Sequence, residues 1–594
     1  MIALDRFVAV WKPLSYNKLQ SSNVVLLSGV ISLTVWVLLV FIIFYGMDFD
    51  FLETLNKCTS PISNLYYMIM PTYSGIISIF FFGFYLSSII ILFRHLSATK
   101  KQQLHAQSNL SKVQMKVFIT VSYALFCYSI FYVVPTILQM FVYNCSKQWV
   151  YNVSGKMKPA PSINNTTQGN TDYGFEMISS TLRFGNGVTS EIGYDVKNFK
   201  SKNPVVFTDR NVVETKAFKA VAESFKKLGI SYDVFDRVKV EPSDKSVQEA
   251  IEVARKKNYD CFIAVGGGSV IDTAKAAALY TANPRAELMD FFQKPFGKAL
   301  NPEKPMHTLI AIPTTAGTGS ETTGAAIFDL PEKKCKSGIR NRTLKPHLAI
   351  VDPLNVLSMP RNVAIYSGFD VLCHALESYT VKPYYKRSPR PERPDLRPLY
   401  NGANPICDVW VRETLNIVNK YFRRAIFDSE DVEAKTHMLM AASFAGMGFG
   451  NAGVHLCHAL SYPLSSQGKQ FTDPDFPNPL IPHGLSVVMT APADFLFTVS
   501  ADPQRHLEAA RLLGAELPDN ASPDLIGNTL ADLIRGFMRD FNVPNGLSAL
   551  GFEKSKIEDL ADAGTNYMVA NPIIPVDADK EIIAKIYEKS WTVY

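Results

Sequence analysis

Three long stretches without a charged residue lie in the first quarter of the chain, at residues 24–45, 66–93 and 117–143. At a helical rise of about 1.5 Å per residue, each is long enough to cross a hydrocarbon core of about 30 Å. Buried helices of soluble proteins are seldom so uniformly apolar over this length. The pattern therefore predicts a three-helix transmembrane fragment over about residues 1–145.

Beyond residue 200, short apolar runs alternate with amphipathic stretches of helical period. Strand-like runs lie at 205–208, 231–235, 261–265 and 308–312, and the stretches 212–228 and 247–257 predict helices. Such alternation is typical of βαβ units with a parallel sheet. Helical patterns dominate after about residue 352. We therefore expect an α/β Rossmann-like dinucleotide-binding domain over about 171–355 and an all-helical domain over about 356–594.

Composition narrows the classes of protein that fit. Residues 146–170 are polar, contain two prolines and lack periodicity, which predicts a linker. The chain is 47% hydrophobic, enough to form a core, which argues against disorder. Its net charge of +6 comes from 60 basic and 54 acidic residues without a long basic run, so nucleic acid is not an expected partner.

The first 145 residues resemble part of a rhodopsin-like G-protein-coupled receptor. Asp5-Arg6-Phe7, followed by Lys12-Pro13-Leu14 and an apolar stretch, is similar to the start of a second intracellular loop. The resemblance implies that the three apolar stretches correspond to the fourth, fifth and sixth receptor helices. The other four helices have no counterpart, so we expect no receptor signalling from this part.

Two loops rich in small polar residues follow predicted strands of the α/β part. Gly266-Gly267-Gly268-Ser269 lies before a helix that carries Asp272 and Lys275 in its first turns, and Pro313–Glu321 follows a second strand. Glycines at such a turn let a diphosphate approach the backbone, and the helix N-terminus supplies amide donors. The alternative is a plain strand–helix turn. Two such loops suit one extended dinucleotide better than two unrelated turns.

Asp209 follows the strand-like run at 205–208. Its carboxylate could accept a hydrogen bond from a ribose hydroxyl and would repel a 2′-phosphate, which favours NAD over NADP. The alternative is a carboxylate that caps the N-terminus of a helix. The sequence does not separate these two roles.

Four residues of the helical part form a candidate metal site. Asp370 and His374 stand four residues apart and so share a helix face, and His458 and His483 lie in segments rich in small residues. Three imidazoles and one carboxylate suit zinc or iron(II). His455, one helical turn before His458, is an alternative ligand. Each histidine alone is more often a core or surface residue.

These motifs appear in the order seen in the iron-containing (group III) alcohol dehydrogenases, which this part of the chain resembles. Asn170–Glu176, Gly368–Tyr379, Phe449–His458 and the Arg- and Pro-rich segment 387–398 are similar to the hydroxyacid–oxoacid transhydrogenase branch of that family. The resemblance covers about residues 171–594. It implies a dehydroquinate synthase-like architecture, in which the helical domain binds the metal.

The resemblance also implies the site, residue by residue. The metal ligands, which are also the catalytic residues, would be Asp370, His374, His458 and His483. Besides Asp209, the residues implied to contact the dinucleotide are Gly267, Gly268, Ser269, Asp272, Thr314, Thr315, Thr318 and Lys336. Many members carry a second histidine four residues after the third ligand, but Tyr462 stands there in this chain. A proton relay through that position is therefore not expected.

The implied activity uses a metal as Lewis acid and NAD as hydride carrier. It oxidises 4-hydroxybutyrate to succinate semialdehyde and reduces 2-oxoglutarate to 2-hydroxyglutarate. Such acids need a cation for the carboxylate, and as a hypothesis Arg387, Arg390 or Arg393 supplies it, because a guanidinium forks onto carboxylate. For the arginine segment, the alternative is a solvated loop without a ligand. For the activity as a whole, the alternative is an NAD-dependent alcohol dehydrogenase whose cofactor exchanges with solution.

Localisation and assembly follow from the two parts separately. The family resemblance implies a mitochondrial enzyme, but no transit segment is visible ahead of the enzyme part, and the apolar stretches place the chain in a membrane. The expected partners are small hydroxy acids and 2-oxo acids, and the resemblance allows a homodimer. The alternative of another class is a receptor-derived membrane protein with a passenger enzyme domain, or two coding regions joined as a gene-model artefact.

Overall fold

A computed structural model describes residues 171–476, 478–570 and 573–594. The predicted membrane stretches, the receptor-like segment and the linker all lie outside these residues. The described residues contain an α/β domain followed by a helical domain, in the order that the hydrophobic pattern predicts.

Eight strands belong to the first domain. They are β1 (Thr181–Phe184), β2 (Pro204–Phe207), β3 (Asp233–Phe235), β4 (Cys261–Gly266), β5 (Thr308–Pro313), β6 (Ala325–Leu330), β7 (Cys335–Arg340) and β8 (Leu348–Val351). Six of them form one sheet in the order β1-β8-β5-β4-β2-β3, and every pairing in it is parallel. The helices of this domain are α1 (Ile192–Asn198), α2 (Lys216–Leu228), α3 (Asp244–Arg255), α4 (Gly268–Ala282) and α5 (Leu288–Phe291).

The central strand β4 shows why this sheet forms. All six of its residues are buried, as expected for a parallel strand covered by helices on both faces. Side chains alternate between the faces, so Phe262 and Ala264 join one apolar cluster while Ile263 and Val265 join another. The strand ends at Gly266, where the first glycine-rich loop begins.

Two features differ from the pattern-based prediction. The stretch 212–228 is not one helix, because Val212–Glu214 forms a 3-10 turn and Thr215 is extended before α2 begins. Strands β6 and β7 were not predicted. They form a separate antiparallel hairpin in which Ala325 pairs with Arg340.

The second domain is helical. Its helices are α6 (Arg361–Thr380), α7 (Pro405–Phe427), α8 (Val432–Ala452), α9 (Leu456–Gln467), α10 (His483–Thr498), α11 (Pro503–Leu512), α12 (Pro523–Asp540), α13 (Gly546–Ala549), α14 (Ile557–Ala570) and α15 (Lys580–Lys589). Helix α6 is buried without interruption from Gly368 to Thr380.

Two glycines let neighbouring helices pack directly on α6. A Cβ atom at Gly368 would lie 2.1 Å from the ring of Phe422 on α7. A Cβ atom at Gly484 would lie 1.9 Å from the carbonyl oxygen of Tyr366, so the first turn of α10 touches the α6 backbone. The sequence places Asp370 and His483 at these close approaches.

Among the described residues, one helical segment is long and apolar enough to span a membrane by length and composition. It covers His483–Ala501, and 78% of its most apolar window is buried inside the protein. A helix that is buried to this extent inside the protein is typical of a core helix.

Candidate active site

Three side chains that are distant in sequence converge where α6, α9 and α10 meet. Asp370, His458 and His483 each offer a ligand atom, and these atoms lie within 4.8 Å of one another. The Oδ1 atom of Asp370 is 3.3 Å from Nε2 of His458 and 3.7 Å from Nε2 of His483. Donor atoms at 2.0–2.2 Å from a tetrahedral ion lie about 3.3–3.6 Å apart. The spacing and the chemistry of the donors therefore fit a divalent metal.

His374, the fourth predicted ligand, lies one turn after Asp370 on α6. Its Nε2 atom is 3.7 Å from Oδ1 of Asp370. Its ring stacks on Phe449 with centroids 3.7 Å apart and on His458 with centroids 4.4 Å apart. Both contacts hold the imidazole beside the carboxylate. His374 is not among the residues whose ligand atoms all lie within 4.8 Å of one another, so its role as the fourth ligand stays a prediction.

The structure distinguishes His458 from His455. Nε2 of His455 lies 2.9 Å from Oγ1 of Thr380, and His455 is not in the cluster around Asp370. His455 precedes α9, whereas His458 is in its first turn, so the two side chains point differently. The alternative ligand is therefore part of the core behind the site.

Glu377 is a functional residue that the sequence analysis missed. Its carboxylate is fully buried on α6 and accepts hydrogen bonds from the amides of His455 (2.9 Å) and His458 (3.3 Å). It also pairs with Nδ1 of His458. This contact leaves Nε2 of His458 free to face Asp370, as in the carboxylate–histidine–metal arrangement of many metal sites. Helical spacing could have found Glu377, because residues 370, 374 and 377 share one face.

Electrostatics prepare the cluster for a cation. Burial alone would raise the pKa of Asp370, but the imidazoles around it, His374 foremost, hold that pKa far below its ordinary value. Burial lowers the pKa of His374 to about 3 and lowers that of His483, so both are neutral ligands near pH 7. Burial also disfavours a charged His458, yet Glu377 and Asp370 raise its pKa to about 10.

The glycine-rich loop after β4 leads into α4 as predicted. Helix α4 begins at Gly268, and no side chain caps it. The amides of Val270 and Ile271 donate to the carbonyl of Gly267, so the amides of Gly268 and Ser269 are the donors that remain for a ligand. A Cβ atom at Gly268 would lie 2.6 Å from Cγ2 of Thr318, and one at Gly267 would lie 3.2 Å from Cγ2 of Thr315. The two predicted loops are therefore in contact, and the uncapped N-terminus between them suits a diphosphate.

Asp272 and Lys275 lie inside the domain. Asp272 accepts hydrogen bonds from the Ser320 hydroxyl and from the amide of Ile327 (2.9 Å). Lys275, fully buried, donates to Ser320 (2.9 Å) and to the carbonyl of Ala325 (2.7 Å). These contacts tie α4 to the second loop and to β6. A contact between Asp272 and the dinucleotide stays a prediction, as does one from Thr314, whose amide bonds to the carbonyl of Gly266.

Lys336 and Ser269 meet at a residue that pattern analysis did not single out. Lys336, buried on β7, forms an ion pair with Glu241. The amide of Glu241 donates to Oγ of Ser269 (3.2 Å), and its backbone is left-handed with φ 53°. Burial opposes ionisation of Glu241, but Lys336 and then His483 hold its pKa below the ordinary value. The pair therefore lies between the glycine-rich loop and the metal cluster.

Asp209 acts as a local cap. Its Oδ1 atom accepts hydrogen bonds from the amides of Asn211 and Val212, both at 2.9 Å. These bonds hold the 3-10 turn that interrupts the predicted helix. The role of ribose acceptor stays a prediction, because the second carboxylate oxygen has no bond to a described residue and the side chain is only partly buried.

The three arginines proposed for the substrate carboxylate differ in their partners and in their burial. Arg387 is buried in an ion pair with Asp172 at 2.8 Å, and Arg393 pairs with Asp395 at the surface. Arg390 is exposed. The Arg- and Pro-rich segment thus anchors the residues that precede β1, through Asp172, and none of the three has a described contact with Asp370, His458 or His483.

Tyr462 occupies the position where many iron-containing alcohol dehydrogenases carry a second histidine. Its ring stacks on that of His483 with centroids 6.2 Å apart. Burial raises the pKa of Tyr462 well above its usual range, so the hydroxyl stays protonated at neutral pH. The lack of a relay at this position stays a prediction.

Comparison with known proteins finds family matches in both the α/β domain and the helical domain. The family "Iron-containing alcohol dehydrogenase" matches residues 179–353, and "Fe-containing alcohol dehydrogenase family, C-terminal" matches residues 399–591. A mitochondrial hydroxyacid-oxoacid transhydrogenase of Caenorhabditis briggsae is 62% identical over 71% of this chain and 92% of the relative. The Bos taurus protein of the same name is 48% identical over 71% and 91%.

A solved structure shows the same fold. The alcohol dehydrogenase from Oenococcus oeni matches with a TM-score of 0.61 and 26% identity, over 70% of this chain and all of that one. The relatives correspond to the described domains, and the converging Asp370, His458 and His483 lie within the matched region. The chain therefore belongs to the iron-containing alcohol dehydrogenase family, in which its relatives are hydroxyacid-oxoacid transhydrogenases.

Proposed function

We propose that this oxidoreductase transfers a hydride from 4-hydroxybutyrate to 2-oxoglutarate through one NAD molecule that stays bound. The products are succinate semialdehyde and 2-hydroxyglutarate. The observation that carries the proposal is the convergence of Asp370, His458 and His483 on one point, next to an uncapped helix N-terminus that suits a diphosphate. The names of the relatives support the pairing of a hydroxy acid with an oxo acid.

The chain's own residues prepare the metal ligands. Asp370, His374, His458 and His483 would hold iron(II), with zinc as the alternative, and the bound ion would supply Lewis acidity toward a hydroxyl or carbonyl oxygen. Glu377 fixes the tautomer of His458 by accepting from Nδ1. Phe449 holds the ring of His374 by stacking. The ligand set is thus positioned before any substrate arrives.

The dinucleotide site uses the two loops that the glycines bring together. Gly267 and Gly268 leave room for the backbone of the second loop, and Lys336 lies toward the metal cluster. NAD bound there would accept a hydride from one acid and return it to the next. We propose contacts from Asp209, Gly267, Gly268, Ser269 and Lys336, with a further set formed by Asp272, Thr314, Thr315 and Thr318.

Proton balance agrees with the lack of a relay at Tyr462. Oxidation of the hydroxy acid releases one proton together with the hydride, and reduction of the oxo acid consumes one. No net proton has to reach solvent in a complete cycle. An enzyme that releases NADH to solution would instead have to discharge a proton at each turnover.

The test separates transhydrogenation from simple dehydrogenation. We expect purified protein to oxidise 4-hydroxybutyrate only slowly with free NAD alone and rapidly when 2-oxoglutarate is added. Chelation or His458→Ala should abolish this turnover, and re-added iron(II) should restore only the wild type. His437→Ala, which removes a histidine stacked on Tyr421, is the control. Activity indifferent to metal and to His458→Ala would disprove the mechanism, and fast turnover with NAD alone would favour an alcohol dehydrogenase.

We also propose that residues 1–145 are a receptor-derived membrane segment and that the enzyme part functions in mitochondria, as the names of the relatives state for those proteins. These two locations conflict in one chain. Sequencing single transcripts across the region that encodes residues 140–175 decides between a real fusion and two joined coding regions. A homodimer of the enzyme part is a further proposal, which its mass in solution tests.

A further inference from the structure

A cation without a carboxylate partner lies near the metal cluster, at the end of β7. Arg340 is only half-buried, and its guanidinium forms no ion pair or hydrogen bond with a described residue. It lies over the ring of Tyr400, with the guanidinium carbon 5.0 Å from the ring centroid. Other cations of this region are paired, Lys336 with Glu241 and Lys469 with Asp329.

A row of aromatic rings leads from the metal ligand His483 to the strand that carries Arg340. Tyr462 stacks on His483, and Tyr567 packs against Tyr462 with ring centroids 4.7 Å apart. Cys335, the first residue of β7, shares a buried cluster with both tyrosines. The first residue of β7 therefore packs against the tyrosine that stacks on His483, and Arg340 lies at the other end of the same strand.

The electrostatic effect of Arg340 on three nearby tyrosines agrees with its position beside these rings. Burial raises the pKa of Tyr400 and of Tyr462, and the positive charge of Arg340 is the largest influence that opposes burial at each hydroxyl. Arg340 also acts in the same direction on Tyr567. All three tyrosines therefore lie within the field of one guanidinium.

The hydroxyl of Tyr567 is a second group without a partner. Its oxygen is buried and has no hydrogen bond in the described part of the chain. A buried hydroxyl left unpaired is costly, as is a partly desolvated cation without a counter-ion. One anionic ligand that accepts from both groups would satisfy both.

We propose that Arg340, assisted by the Tyr567 hydroxyl, binds the carboxylate of the hydroxy- and oxo-acid substrates. This inference rests on the proposed function, because it needs an acid whose reacting carbon lies at the metal cluster. A guanidinium binds carboxylate through two parallel hydrogen bonds, and the ring of Tyr400 holds it in place by a cation–π contact. The inference assigns this role to Arg340 rather than to Arg387, Arg390 or Arg393, none of which has a described contact with Asp370, His458 or His483.

The test compares an acid with its neutral analogue on the full chain loaded with iron(II) and NAD. Arg340→Met should raise the KM for 4-hydroxybutyrate by about 10- to 100-fold with little change in kcat, the scale expected for a hydrogen-bonded charge. The KM for 1,4-butanediol, which lacks the carboxylate, should change less than about threefold. Arg340→Lys should recover part of the loss, and Tyr567→Phe should cause a smaller rise.

A matched control is Arg539→Met, which removes another arginine that lies over a tyrosine ring, that of Tyr594. It should leave both KM values unchanged. Direct binding of succinate, measured by calorimetry, should weaken in Arg340→Met and not in Arg539→Met. Unchanged succinate binding and KM in Arg340→Met, or an equal loss for the diol, would overturn the inference. If the wild type oxidises no hydroxy acid, the proposed function fails, while succinate binding still decides the role of Arg340.

Discussion

Replacing Glu377 by Gln should weaken metal binding by about tenfold or more while the fold is retained. Glu377 does not belong to the predicted ligand set, but it holds the ligand His458 through Nδ1 and through its backbone amide. Gln has nearly the same shape and keeps one oxygen as an acceptor. The variant therefore removes the charge of the carboxylate rather than its volume.

The magnitude follows from the bonds that Glu377 accepts. Hydrogen bonds to a charged group contribute about 1.5–3 kcal/mol and neutral ones about 0.5–1.5 kcal/mol. The difference, roughly 1–1.5 kcal/mol, is close to tenfold in affinity. Substitutions of residues that orient a ligand typically cost about 10- to 100-fold. The expected loss for Glu377→Gln lies at the lower end, because its oxygen can still serve the amides of His455 and His458.

The pH dependence of metal affinity gives an independent test of the role of Glu377. Glu377 and Asp370 raise the pKa of His458 to about 10 against the effect of burial, so a metal ion at Nε2 must displace a proton. Metal affinity should therefore rise with pH below about pH 10, by up to tenfold per unit. In Glu377→Gln the pKa of His458 falls, so fewer protons are released and the dependence on pH becomes shallower.

The assay is competition for iron(II) or zinc against a chromophoric chelator over a range of pH, combined with thermal unfolding. Asp494→Asn is the control, because burial raises the pKa of Asp494 to about 8 and this carboxyl is already neutral at pH 7. It should change metal affinity less than about twofold. If Glu377→Gln leaves both the affinity and its pH dependence as in the wild type, Glu377 does not tune His458.

Three further predictions concern packing and charge. Gly484→Ala should destabilise the protein by about 1–3 kcal/mol and reduce bound metal, because its Cβ would lie 1.9 Å from the carbonyl oxygen of Tyr366; melting temperature and metal content measure both. Gly268→Ala should raise the Kd for NAD by roughly tenfold, because its Cβ would lie 2.6 Å from Thr318, and fluorescence titration measures the change. Burial lowers the pKa of Lys345 to about 7 from an ordinary 10.5, so the unfolded chain binds a proton that the folded one lacks between these values. The free energy of unfolding should therefore rise with pH in this window by up to about 1.4 kcal/mol per unit, and Lys345→Met should remove this rise in urea titrations.

Each of these three predictions has a control variant or a result that would contradict it. Gly536→Ala lies on α12 with the nearest atom at 3.7 Å, and it should be neutral or slightly stabilising. Adding Thr318→Ala to Gly268→Ala should restore part of the NAD affinity, since the clashing methyl is gone. A wild type and a Lys345→Met variant with the same pH dependence of unfolding would show that Lys345 keeps its proton in the fold.

Much of the α/β domain could be predicted because its signals are local. Strand β4 is an apolar run that ends in three glycines, so both its position and the loop after it are visible in the sequence. Helix α2 was predicted too long, since the cap formed by Asp209 looks the same in sequence as a ribose ligand. Hairpin β6–β7 has mixed polar and apolar residues and no strong alternation, so it was missed.

The site shows the limit of local patterns. Asp370 and His374 share a helix, but their proximity to His458 and His483 depends on how α6, α9 and α10 pack, which spacing does not encode. The resemblance to a family supplied that information. The same limit applies to the arginines: Arg387 was selected by its neighbours in sequence, whereas its partner Asp172 lies more than two hundred positions away.

The hairpin β6–β7 carries the proposed substrate contact separately from the helices that carry the metal ligands. The metal ligands are set in α6, which is buried throughout its second half, and in the helices that touch it, so substitutions there disturb the whole helical domain. Arg340 is carried instead by two strands that form their own small sheet. Selection or engineering could exchange Arg340, at the open end of this hairpin, for an apolar residue and turn an enzyme for acids into one for plain alcohols, without rebuilding the catalytic centre.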